Sequence, residues 1–400
     1  MDWNVETKTG NPTRSVPVNQ LIRRVKKDEV RKRGKSSCAR RPLEYEEFEK
    51  MVEMIRANKD PLKKYGFVAV VALQFHFLAR VDDTCALMVD EIKSHNLYKE
   101  FALSFRMCWS KNVMEERSAP SQIMLASSNP NFCTHLTLAM FLELYYPTEA
   151  NENGELNCFG AINKSSEGTK QRVSKFLKEK VFMKEEFAVV KGERNDIIGT
   201  HSIRKYSSTY ARRSGCTRDD INVRGRWKRF KQMVDVFIDP DIPYPDAKTA
   251  AALCIGGPIK YVLKKESKLD DCWVVEHVVP HMFKMHKDKK AVGTLGKALL
   301  WACFDAEAQD LVPLHIIKRV VTAYQRVQNQ LGETENPVRK VPLVVCGHDG
   351  QLIIEELFDD DAENPAHDEN NSPATPEDLN RRRSRHSSEM QAVFAQLILI

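Results

Sequence analysis

The sequence predicts a mainly α fold that carries one small antiparallel β-sheet, an α+β arrangement. Three observations point there. Apolar residues recur at helical spacing through most of the first 260 positions, as in LEYEEFEKMVEMIRAN (43–58), where Phe48, Met51, Val52 and Ile55 share one face. FVAVVALQFHFLARV (67–81) is apolar all round, as a fully buried helix is. Between 102 and 126 the period changes: ALSFRMCW and SQIMLAS read as two strands joined by the polar turn SKNVMEERSAP, a β-hairpin.

The remaining elements follow in order. Residues 1–18 read as a polar arm, and 19–35 as a very basic helix. DDTCALMVDEI (82–92) continues at helical period. HLTLAMFLELYY (135–146) is a further helix, and 167–183 a polar one with Val173, Phe176 and Leu177 on one side. Residues 202–215 and 217–227 form two helical segments broken at Gly215. DPDIPYP (239–245) reads as a loop, because three closely spaced prolines disfavour helix and central strand alike. After Gly256-Gly257-Pro258 the composition shifts, and 259–330 reads as all helical. The expected division is a basic arm and core-binding remnant (1–42), a main domain (43–257), a helical C-terminal domain (258–350), a disordered acidic-then-basic tail (351–387) and the start of an apolar helix (388–400).

Composition narrows the class. No apolar run reaches the ~18 residues of a membrane span, and the first residues lack the apolar stretch of a secretory signal. Ten cysteines without a CxxC pair suggest reduced, mostly buried thiols inside a cell. The net charge of +6 says little by itself. Its distribution says more: Arg23 to Arg41 holds ten cations against Asp28 and Glu29, a second cluster spans Arg224 to Lys231, and acid collects at 355–363. Arg31, Arg33, Lys35, Arg224, Arg226 and Lys228 are therefore candidates for contact with DNA phosphates, and a solvated helix face is an equal reading of 23–41.

Three segments form a constellation. Arg80 and Asp83 lie one helical turn apart in LARVDDTC; Lys111 opens the hairpin turn; His201 and Arg204 share a helix face in GTHSIRKY, with Trp227 after them in GRWK. Singly, each has an ordinary reading. Arg80 would pair with Asp83 or Glu91, Lys111 would be a solvated turn residue, His201 would start a helix, and Trp227 would be core. Together and in this order, Arg80, Lys111, His201, Arg204 and Trp227 resemble the active-site series of tyrosine recombinases. RGRWK…PYPDAKTAAALCIGGPIKY and RKRGKSSCARRPLEYEEF look like the Crypton transposon lineage of that family, over roughly residues 20–262.

The resemblance implies a recombinase catalytic domain, double-stranded DNA as partner, assembly as a homo-oligomer on DNA, DNA integration or recombination, and a nuclear location. It implies no cofactor and no metal. Two guanidiniums can hold the non-bridging oxygens of a phosphate under attack. A lysine on the hairpin can protonate the leaving oxygen, and His201 and Trp227 supply further hydrogen bonds. The chain departs from the family at the nucleophile, which should stand nine or ten residues after Trp227. Val236 and Phe237 stand there, and Phe237, in the nucleophile slot, has no hydroxyl. Tyr244, inside DIPYP, is a poor substitute. The sequence thus describes a phosphate pocket with a degenerate nucleophile. Two alternatives stand beside it: an active recombinase using Tyr244 or a tyrosine supplied by a second protomer, and a helical interaction protein without catalysis. His277, His281 and His286 have metal-like spacing but no acid or cysteine between them, Cys346-Gly-His348 is an isolated pair, and there is no phosphate-binding glycine loop.

Overall fold

The computed structural model describes residues 15–33, 40–96, 100–108, 121–150, 154–183, 198–227, 244–328, 335–348 and 351–356, with positions 4, 6, 7, 9–11, 13, 98 and 187. It is mainly helical with small antiparallel sheets.

Helix α1 (Val16–Arg33) leads into α2 (Tyr45–Arg56) and α3 (Pro61–His76). Asp60 caps α3 by accepting from the Leu62 N–H, and Pro61 takes the first turn, where no N–H is needed. Every residue of α3 from Tyr65 to His76 is buried, as its unbroken apolar character requires. The short α4 (Val81–Cys85) follows. The expected helix over 82–92 stops there, because the chain passes into a single 3-10 turn (Val89–Glu91) and the strand β1 (Lys93–Ser94). The hairpin consists of β2 (Leu103–Phe105) and β3 (Gln122–Met124), antiparallel with Ser104 opposite Ile123; β1 pairs on the outer side of β2.

After β4 (Ala126–Ser127) come α5 (Thr134–Tyr145), α6 (Ser166–Phe176, extended by one π-type turn to Val181), α7 (Thr200–Arg213) and α8 (Arg218–Arg224). Gly215 separates the last two with φ +87, a conformation that favours glycine. Helix α9 (Tyr244–Ala252) overlaps the segment expected to be a loop. Pro245 is accommodated because the first turn of a helix has no N–H partner to lose.

The chain after Gly257 is not all helical. Gly256 and Gly257, at φ +83 and +96, turn it back as β5 (Pro258–Leu263), antiparallel to β4. Helices α10 (Asp271–Trp273, running into a π-type turn at Val274–Val278), α11 (Pro280–Met285), α12 (Lys289–Phe304) and α13 (Leu314–Gln328) follow. Then β6 (Val338–His348) pairs with β5, and β7 (Gln351–Glu356) with β6. One buried core runs from Leu43 to Val338 without a break at 257. Its centre is α3 packed on α2, α5 and α7, with α12 against the other side of α5. Phe48, Phe75 and Tyr206 meet there with ring centroids 4.8 to 5.4 Å apart. No described helix is long and apolar enough to cross a membrane.

Candidate phosphate-binding pocket

The start of α7 fixes the first two side chains. Gly199 precedes the helix, and its N–H donates to Ser202 Oγ at 3.1 Å. Gln74 Nε2 donates to the Thr200 carbonyl at 2.8 Å, tying this turn to the buried helix α3. His201 and Arg204 therefore project from an anchored first turn, one helical turn apart. Arg80 arrives from the other side, as the residue just before α4, where its N–H donates to Asp83 Oδ2 at 3.3 Å.

Asp83 links the two sides. Its carboxylate is 2% exposed and stands 3.9 Å from Arg204 Nη1 and 3.8 Å from Arg226 Nη2. The ordinary reading paired its carboxylate with the Arg80 side chain; in the structure it receives the Arg80 backbone and faces two other guanidiniums. Arg204 also donates from Nη2 to the Gly225 carbonyl and lies over the Trp227 ring at 4.7 Å. Trp227 is thus part of the pocket wall as well as a packing residue.

Arg80, His201, Arg204 and Trp227 line one pocket of about 340 Å³, together with Pro42, Lys205, Ser208 and Thr209. Two buried guanidinium atoms in it, Arg80 Nη1 and Arg204 Nε, have no hydrogen-bond partner among the described residues. Burial, and then the Arg80 charge, lower the Arg204 pKa to about 10, with Asp83 opposing. His201 sits at the rim. Partial burial and the cations Arg204, Lys205, Arg40 and Arg80 together depress its pKa, which favours the neutral ring. Burial and mutual repulsion thus raise the cost of the positive charges gathered here.

The backbone at the pocket carries strain. Leu78 and Arg226 have φ of +47 and +53, and they stand just before Arg80 and Trp227. Such conformations cost on the order of 1 kcal/mol for a side chain with a Cβ, and persist where the surroundings fix them.

The second cation cluster behaves differently. Arg224 and Arg226, expected on a DNA-facing surface, are interior. Arg224 is 0% exposed. Its Nε donates to the His76 carbonyl at 2.9 Å, Nη1 to Asp246 Oδ1 at 2.6 Å and Nη2 to the Ile123 carbonyl at 3.0 Å. Arg226 donates to Gln122 Oε1 and, at 3.2 Å, to the Arg224 carbonyl. With acceptors from α3, β3 and α9 closing round its Nε, Nη1 and Nη2, and with no exposed surface, Arg224 is turned away from any phosphate at the protein surface. It clamps the hairpin strand, α9 and the end of α3 together.

Of the other expected residues, Arg31 is exposed on α1, and Arg33 is the last backbone position of that helix. Tyr244 is the first backbone position of α9. Lys35, Lys111, Lys228 and Phe237 lie outside the described residues. Sequence reasoning missed Arg40 and Lys205. Lys205 Nζ donates to the Arg40 carbonyl, and the Arg40 guanidinium lies against Gly199, where a Cβ would come within 2.9 Å of Arg40 Cζ. Adjacency to HSIR was the available signal for Lys205; Arg40 stood in the basic run 23–41 but was not read as a pocket residue. The three histidines singled out at 277–286 serve separate partners: His277 the Trp273 carbonyl, His281 the Glu143 carbonyl, and His286 both Tyr146 Oη and the Ile92 carbonyl.

No family model, no curated protein and no solved structure matches this chain.

Proposed function

We propose that this pocket holds a phosphate of duplex DNA, and that the chain is a DNA-binding protein of the tyrosine recombinase type, derived from a Crypton-like transposon, with strand transfer lost. The observation that carries the reading is the convergence of Arg80, His201, Arg204 and Trp227 from three separated stretches of sequence on one cationic pocket. Arg80 and Arg204 would take the non-bridging oxygens, with Asp83 positioning Arg204 from behind and Trp227 covering its guanidinium face. The degenerate nucleophile at Phe237 makes the pocket a binding site without a covalent step.

The test has two parts. Binding of a fluorescent duplex should weaken steeply with salt, as phosphate contacts release counterions. A suicide DNA substrate should give no covalent adduct on a denaturing gel. Salt-independent or absent duplex binding would sink the DNA reading. An adduct that Tyr244→Phe abolishes would instead make the chain an active recombinase.

A further inference from the structure

A second cationic cavity lies in the part of the chain that the recombinase resemblance does not reach. It measures about 540 Å³ and opens between α13 and the turn at Val274–Val278. Helix α13 buries Ile316, Val320 and Tyr324 and turns the opposite side outward. Lys318, Arg319, Thr322 and Arg326, at i, i+1, i+4 and i+8, line the cavity from that outward side with His315 one turn before them. His277 lines the other wall, its ring held flat on Trp273 at 4.9 Å.

These cations differ in how they are held. Arg319 donates to Glu143 Oε1 at 2.9 Å and to the Val278 carbonyl at 2.7 Å, so its guanidinium is fixed before any ligand arrives. Lys318 and Arg326 form no ion pair among the described residues, although they share one face within two turns. Glu276 is the one carboxylate in the lining, and Ala323 the one apolar side chain among the described lining residues. A compact anion with several charges would find one fixed guanidinium, two cations unpaired among the described residues, a hydroxyl and two imidazoles.

We propose that this cavity is a binding site for a polyphosphate anion, separate from the DNA pocket. Concavity favours a compact ligand over a continuous DNA backbone, with the cations gathered on the α13 side and Glu276 confined to the facing wall. Arg319, its Nη2 already bound to Glu143 and the Val278 carbonyl, supplies a fixed cation, and Lys318 and Arg326 the mobile charges that close on the terminal phosphates.

The experiment titrates tripolyphosphate into the full chain by calorimetry. Arg80→Ala is the background, so that the first pocket contributes only weakly. The parent Arg80→Ala protein should bind one equivalent. Adding Lys318→Gln and Arg326→Gln should weaken that affinity by about tenfold or more, since charge-assisted contacts dominate. Both added changes are at exposed positions, and an unchanged melting temperature checks that the fold is kept. No binding to the Arg80→Ala protein, or binding indifferent to the two glutamines, overturns the site. If the same pair weakens duplex DNA as much as tripolyphosphate, the cavity is a second DNA contact and the small-ligand proposal fails. Loss of DNA binding in Arg80→Ala alone bears only on the first pocket, so the two readings fail separately.

Discussion

Arg204 and Arg224 are both buried arginines on neighbouring helices, α7 and α8, yet they do opposite things. Arg224 gives its donors to Asp246 and to two backbone carbonyls, and nothing of it faces solvent. Arg204 spends one donor on Gly225, stands 3.9 Å from Asp83, and keeps its ring-stacked face and an unpartnered Nε beside a cavity that Arg80 and His201 also line. The lesson is that burial does not decide whether an arginine is structural. What decides is whether the protein supplies all its acceptors. Where donors meet acceptors from three elements, the charge is a clamp; where they stand beside a cavity that further cations line, the arrangement suits an anion.

The clamp should be the costlier one to break. Arg224→Met keeps much of the side-chain volume but strands the Asp246 carboxylate and two carbonyls. Removing one partner of a buried pair costs about 3–5 kcal/mol. Urea unfolding should show that loss, and a change below about 1 kcal/mol would mean Asp246 is solvated or protonated at little cost.

Acid tests the same region through its histidines. His76, whose carbonyl accepts from Arg224, is buried, and burial and then the Arg224 charge hold its pKa well below the ordinary value. His135, also buried, is lowered to about 4. Both must be neutral in the folded state. Their contribution is complete above the unfolded value of about 6.5 and is lost as pH falls towards the folded value. For His135 the loss by about pH 4 approaches 3 kcal/mol. Melting temperature should therefore fall from pH 6.5 to 4, and His135→Gln should flatten part of that fall. A flat profile would show that these rings open to water.

On the open side, Arg80→Ala should leave stability within about 1 kcal/mol, because Arg80 is only partly buried and its Nη1 has no partner to lose among the described residues. Its effect belongs to ligand affinity. Losing one charge-assisted contact to phosphate costs about 1.5–3 kcal/mol, or roughly ten- to a hundredfold in duplex affinity. Equal losses of stability and affinity would erase the distinction between clamp and pocket.

How much of this was legible follows the same divide. The helices α2, α3, α5 and α7 could be read because their apolar period or unbroken apolar content is local. The hairpin could be read from its change of period. Strands β5, β6 and β7 could not, since β5 finds one partner in β4 and the other in β6, far apart in the chain, and two adjacent glycines set its direction. The helical start at Tyr244 was hidden by prolines that suit a first turn as well as a loop. The convergence of Arg80, His201, Arg204 and Trp227 was expected from their order. The interior position of Arg224 and Arg226 was not, because RGRWKR has the composition of a surface patch. Only the fold brings Asp246, Gln122 and the Ile123 carbonyl to meet them.

The finest contrast is between two histidines, each beside an arginine. His76 is sealed, so its protonation is coupled to folding. His201 is at a rim, so its protonation is coupled to whatever enters the pocket. In the free protein, burial and the cations Arg204, Lys205, Arg40 and Arg80 depress its pKa. A bound phosphate brings negative charge against the same ring and must raise that pKa again. Linkage then fixes the sign. Binding takes up a proton, so duplex affinity rises as pH falls through the bound-state pKa and levels off below the free-state value. His201→Gln keeps a hydrogen-bonding side chain but cannot gain charge. Fluorescence anisotropy with one short duplex at constant ionic strength should show parent affinity rising severalfold, on the order of 1 kcal/mol, between about pH 8 and 5.5. The variant should show a shallower slope over that range and converge with the parent at the alkaline end. Parallel slopes would place the phosphate away from His201, and the pocket would then lose the one member whose charge responds to occupancy.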